Sequence, residues 1–64
     1  MTKDEAIRAA RVGEKVFIPK QSVGGQIAMV SVVYPGERIW IHVLDRNGNA
    51  MYGAPVEDVE IQTT

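Results

Sequence analysis

"RIWIHVLD", residues 38–45, reads as a β-strand from end to end. Side chains alternate across a strand, so one face carries Ile39, Ile41 and Val43 and the other carries Arg38, Trp40, His42 and Leu44. The first set is an ordinary core stripe. The second holds the only tryptophan and the only histidine of the chain. Upstream, "QIAMVSVVY" (26–34) is a second long apolar strand, joined through the turn "PGE" (35–37). Downstream, "RNGN" (46–49) contains Asn47-Gly48, the strongest short hairpin signal, and leads into a strand "AMYG" (50–53).

The remaining segments fit around this meander. "TKDEAIRAAR" predicts a helix over 2–11, with Thr2 as N-cap and Glu5 completing a capping box. Asp4 and Glu5 stand in its first turn and Arg8 and Arg11 near its last, matching the helix dipole, and Gly13 can end it. Its apolar face of Ala6, Ile7, Ala9 and Ala10 is thin, so it lies on the domain rather than forming a core. "KVFIP" (15–19) is a strand with Val16 and Ile18 on one side and Phe17 on the other, ended by Pro19. "KQSVGG" (20–25) reads as a loop, with Gly24 and Gly25 permitting a turn or bulge. "APVED" (54–58) reads as one helical turn entered through Pro55, and "VEIQ" (59–62) as a short closing strand. The expected fold is mainly β: a single domain over 1–64, with a helix over 2–11 and a small, strongly bent, five-stranded barrel over 14–62.

A chain of 64 residues buries only about 60% of its unfolded surface. Small scaffolds of this kind rely on disulfides, a metal or oligomerisation. With no cysteine and one histidine, there is neither a disulfide nor the ligand set of a zinc site, which leaves oligomerisation. Seven basic and eight acidic residues give a net charge of −1, so no global field draws the chain to nucleic acid or to an anionic membrane. The charged start "MTKDEAIRAAR" has no apolar signal segment, and the cytoplasm is the default compartment. No cofactor is expected.

Three local patterns carry family resemblances. "VGEKVFIP", "GGQIAMV", "ERIWIHVLD" and "PVEDVEI" together resemble SH3-like barrels of the KOW and Tudor-like branch over residues 12–61. That implies a barrel on which many unrelated functions sit. "RVGEKVFI" with "PGERIWIHV" resembles the carbon storage regulator family of dimeric RNA-binding proteins. Arg8 and Arg11 could match its basic residues, while "GAPVEDV" is acidic and lacks the arginine expected near the last strand. A helix followed by five strands, with "GQI" in the second, is similar to the bacterial Sm-like RNA chaperones, although "KQSVGG" replaces the Asn-Gly turn of that family.

The candidate chemistry is sparse. His42 is the one imidazole of the chain, the side-chain type most used for general acid–base chemistry, and Ser31 could face it across the hairpin, but a Ser-His pair without an orienting carboxylate is a weak nucleophile. Some plasmid-type dihydrofolate reductases enclose a pore with SH3-like barrels and carry a Val-Gln-Ile-Tyr run; "NAMYG" keeps only its tyrosine. Lys15, Lys20, Arg38 and Arg46 could line one edge for phosphates, against the acidic cluster Glu57, Asp58 and Glu60. An aromatic cage would need Phe17, Tyr34, Trp40 and Tyr52 to converge. "VGGQ" lacks the Lys-Ser/Thr ending of a phosphate-binding loop.

The turn at Pro35-Gly36 decides which residues join Trp40. If these two residues alone form it, Val33 faces Arg38, Ser31 faces Trp40 and Met29 faces His42, while Ala28, Val30 and Val32 go to the core. A turn one residue longer exchanges the two sets. In either register the Trp40 face is apolar, and Asn47-Gly48 adds Met51 beside Leu44. A patch of this kind on a small domain marks an interaction site. Trp40, His42, Leu44, Met29, Val33 and Met51 are therefore the candidate protein interface. The expected function is a non-enzymatic binding or assembly module that pairs with itself or with another protein. A small RNA- or DNA-binding regulator using Lys15, Lys20, Arg38 and Arg46 is the second reading, and a pore-type oligomeric enzyme with His42 at its pore is the third. Cysteine-free chains of this size are common among phage and mobile-element proteins.

Overall fold

The computed structural model describes residues 1–62. Its elements run α1 (Lys3–Val12), β1 (Lys15–Ile18), a 3-10 turn (Pro19–Gln21), β2 (Val23–Val33), β3 (Arg38–Asp45), β4 (Met51–Pro55), a second 3-10 turn (Val56–Asp58) and β5 (Glu60–Ile61). The five strands form one antiparallel sheet in the order β4-β3-β2-β1-β5. The sheet curls, but no ladder joins β4 to β5, so the expected closed barrel is in fact an open sheet.

The helix forms for the local reasons written in its ends. The Thr2 side chain accepts from the Glu5 N–H at 3.2 Å, and the Glu5 carboxylate accepts from the Thr2 N–H at 2.8 Å. Both halves of the capping box are thus made. At the other end Gly13 adopts φ 73°, and its N–H reaches the Ala9 carbonyl, a left-handed cap that glycine takes without a Cβ clash. The helix buries Ala6 and Ala9 against Val16, Ile18, Ile41, Val43, Ala54 and Val59. Small side chains let it lie close to the sheet, and the partly buried Met1, Ile27, Val30, Ile39, Tyr52, Val56 and Ile61 complete the core.

Two irregularities in β2 shape the sheet. The first is its start. "VGG" is not a loop: β2 begins at Val23, three residues before the expected Gln26, and Val23–Gln26 pairs with β1. Gly25 is buried, paired to Val16 on one side and Asp45 on the other. A Cβ built on Gly25 would run into the Leu44 carbonyl oxygen and lie 3.0 Å from its carbon and 3.3 Å from Asp45 Cα. Only glycine lets β3 approach this closely while the sheet bends.

The second irregularity is a β-bulge. Ile27 pairs with Val43 and Met29 with His42, adjacent residues of β3, so Ala28 is the extra residue. The bulge moves the core stripe of β2 from Ile27 to Val30. Ala28 is exposed instead of entering the core as the regular two-residue pattern expects. Beyond the bulge the register is Val30↔Ile41, Ser31↔Trp40, Val32↔Ile39 and Val33↔Arg38. This is the register of the short-turn alternative, although all four residues Tyr34–Glu37 lie in the turn. Likewise Arg46–Ala50 forms a five-residue connection rather than a two-residue hairpin. Asp45 organises it, its carbonyl accepting from Gly48 N–H at 3.0 Å and its carboxylate from Asn49 N–H at 2.9 Å.

Two outcomes follow. Gly25→Ala will destabilise the protein by about 3 kcal/mol, the scale of a forced backbone shift in a packed interior, in urea denaturation. Gly24→Ala will cost much less, since its nearest neighbour is the movable Gln62 side-chain oxygen at 3.1 Å. The Glu5 carboxyl is held below its ordinary value of 4.5, first by the Thr2 backbone N–H and then by the Thr2 side chain. A lowered folded-state pKa means the stabilisation is present above pH about 4.5 and is lost as pH falls through the folded value. Helix content followed by circular dichroism will fall on acidification, and Glu5→Gln will flatten that part of the profile.

Candidate functional site

Strand pairing brings all six residues of the expected interface to one face. On β3, Trp40, His42 and Leu44 alternate with the buried Ile41 and Val43. Met29 lies opposite His42, Ser31 opposite Trp40 and Val33 opposite Arg38. From the other side Met51 lies opposite Leu44, Gly53 opposite His42 and Pro55 opposite Trp40. Met29 is 51% exposed and Met51 54%, with Val33 and Leu44 also exposed, while Trp40 and His42 are half-buried. The core and the helix take the opposite face, and among the described residues no other element packs over this one.

Gly53 explains the half-burial of the two rings. A Cβ there would sit 3.6 Å from His42 Nδ1 and 3.7 Å from Trp40 Cε3, so both rings border the space above the glycine backbone. The Gly53 carbonyl is taken by the Gln21 side-chain amide at 3.0 Å. His42 Nε2 lies 2.9 Å from Ser31 Oγ. The expected Ser-His proximity is therefore real, and it supplies a hydroxyl and a base. Among the described residues no carboxylate is hydrogen-bonded to the His42 ring, and Ser31 is its partner within the sheet surface. Among these residues, too, no group of three His, Cys, Asp or Glu is placed to hold a metal.

The basic residues do not share an edge. Lys15 and Arg46 border one shallow depression of about 370 Å³ together with Gly25, Gln26, Leu44, Asp45 and Gln62. Lys20 belongs elsewhere: its Nζ lies 3.3 Å from Asp58 Oδ2, and Glu57 and Glu60 border the same hollow. Arg38 and Arg46 flank β3 at its two ends, separated by about 26 Å of extended chain at 3.3 Å per residue. The four aromatic rings are equally dispersed. Phe17 and Tyr52 border one depression, Trp40 stands on the apolar face, and Tyr34 is 71% exposed in the β2–β3 turn.

Sequence reasoning missed the role of Gly53 and of the Gln21–Gly53 bond; a glycine inside a predicted strand is the available signal for the first. Among the described residues no helix is long and apolar enough to cross a membrane. Compared with protein-family models, curated proteins and solved structures, the chain matches none.

Exposed side chains on this face should carry little of the folding free energy. Met29→Glu and Met51→Glu will each change stability by no more than about 0.5 kcal/mol in chemical denaturation, whereas truncating the buried Ile41 on the other face of the same strand will cost about 2–5 kcal/mol.

Proposed function

We propose that the chain is a non-enzymatic binding and assembly module, built on a curled sheet of SH3-like kind, that acts through the Trp40 face and associates with itself or with another protein. The observation that carries this reading is the grouping of Met29, Val33, Trp40, Leu44 and Met51 on one uncovered face. A continuous apolar surface on so small a domain loses water only when something docks on it, and a half-buried tryptophan at its centre has the character of an interface anchor. The paired His42 and Ser31 add hydrogen-bonding capacity within the patch.

A small RNA- or DNA-binding regulator is the second reading. Its support is the placement of Lys15 and Arg46 at one depression. It ranks lower because Lys20 faces Asp58 and Arg38 lies at the far end of β3, so phosphates meet no continuous basic track. A pore-type enzyme ranks third, on the Ser31–His42 contact alone.

Sedimentation equilibrium across a wide concentration range, with iodide quenching of Trp40 fluorescence, tests the first reading. The expected result is a mass that rises with concentration as Trp40 becomes shielded, and a weaker association for Met29→Glu. A strict monomer at high concentration with a fully quenched Trp40 overturns it. A steep fall of generic RNA binding with salt would promote the second reading in its place.

A further inference from the structure

The backbone of β2 is used unevenly. On one side it pairs with β3 from Gly25 to Val33, whereas on the other it pairs with β1 only from Val23 to Gln26. Among the described residues, no strand lies beside the second side from Ile27 to Val33, and none of their backbone hydrogen bonds made outside the ladders goes to these residues. Exposed strand edges are normally blunted by charge, proline or a covering group. The other edges here are blunted. On β4 the Gly53 carbonyl is taken by Gln21, and Pro55 has no N–H to offer. On β5 the edge is two residues long and includes Glu60. Ile27–Val33 contains no charge and no proline, and apart from Ser31 its side chains are apolar on both faces of the sheet.

We infer that two copies of this chain join edge to edge along β2, antiparallel about a two-fold axis at Ser31, into one continuous sheet. This inference rests on the self-association proposed above and places its contact along the β2 border of the Trp40 face, at Met29 and Val33. The regular part of the free edge is Met29–Val33, after the bulge, and its centre is Ser31. Self-pairing about that centre sets Met29 against Val33 of the partner on the Trp40 face, and Val30 against Val32 of the partner on the core face. Such an isologous contact closes on itself, and its cross-strand pairs are apolar on both sides. Met29, Val32 and Val33, which are 51%, 42% and 44% exposed in one copy, all become covered.

Charge selects a second copy as the occupant. No like charges meet across the axis, since the paired segment carries none. The partner strand continues the line of β1, whose first residue, Lys15, lies beside Gln26. The partner's turn, which carries Glu37, therefore arrives at Lys15, once on each side of the axis. Strand length agrees as well: the partner's β2 ends at Val33, where the edge beside Ala28 and Ile27 gives way to β1. The two Trp40 faces then lie on the same side of the joined sheet as one longer surface.

A one-to-one mixture of differently isotope-labelled copies, studied by filtered nuclear Overhauser spectroscopy, tests this. Contacts between copies are expected for Met29 with Val33 and for Val30 with Val32. The outward amides of Met29–Val33 are expected to exchange at least tenfold more slowly at high concentration. Val32→Lys places a charge on the face away from Trp40. It will weaken self-association at least tenfold in sedimentation, while Glu57→Gln, exposed in the second 3-10 turn, will leave the two-copy mass unchanged. Association that survives Val32→Lys but is abolished by Met51→Glu, with intermolecular contacts at Trp40 and not along β2, overturns the edge pairing and leaves the Trp40-face reading standing. A monomer at all concentrations overturns the edge pairing, and Trp40 quenching then decides the other reading separately.

Discussion

At Gly25 three strands meet. β1 lies on one side and β3 on the other, and the Leu44 carbonyl occupies the place a side chain would take. The rest of the molecule depends on that close approach. A flat five-stranded sheet of this length would leave its core face open to water, and one ten-residue helix could not cover it. Bending β2 at Gly24–Gly25 folds β1 and β5 over the same core that β3 and β4 face. Val16 and Ile18 thereby join Ile41, Val43 and Ala54 around the two buried alanines of the helix. The cost is a glycine pair inside a strand, where glycine loses more chain entropy than other residues. The gain is a sealed core made of small and medium side chains.

The bulge at Ala28 is the counterpart of that bend. Before it, odd-numbered residues of β2 face the core; after it, even-numbered residues do. Without the extra residue the stripe Ile27, Met29, Ser31, Val33 would point inward, placing a serine hydroxyl in the core, where it would need a buried partner. With it, Val30 goes inward and Ser31 goes to the half-buried face, where its Oγ pairs with His42 Nε2 at 2.9 Å. One added residue thus settles both the composition of the core and the membership of the Trp40 face.

What was legible in the sequence was what short-range chemistry determines. Thr2, Glu5 and Gly13 act within three to five residues of their partners, and the helix ends where they place it. β3 is bounded by turn residues on both sides and occupies the predicted Arg38–Asp45. Alternation along that strand was enough to group Trp40, His42 and Leu44, and the position of Asn47-Gly48 was enough to put Met51 beside Leu44. The bulge was not legible, because a period of two cannot be read in a run where Ser31 is the one polar residue between Ile27 and Val33. The start of β2 was missed for a different reason: turn chemistry favours a loop at Gly24–Gly25, and the contact that demands glycine there comes from β3, some twenty residues away. The Lys20–Asp58 pair, 38 residues apart in sequence, lies beyond any local rule, and with it the neutralisation of one candidate phosphate contact.

The distribution of charge and apolar surface explains why docking ranks above phosphate binding. The two 3-10 turns carry Lys20, Glu57 and Asp58, and the connection after β3 carries Arg46, set beside Asp45. Each of these basic groups has a carboxylate nearby, so the polar end of the domain is locally balanced and creates little field. The opposite end is the β2–β3 ribbon beyond Trp40, where neither β1 nor β4 pairs with it. Its strands are apolar on both faces except for Ser31 and Arg38. A two-stranded ribbon is marginal in water unless a third strand or another surface packs on it. That instability is relieved by contact with another chain and not by a phosphate, and it places the binding capacity of the domain on the part that its own core supports least.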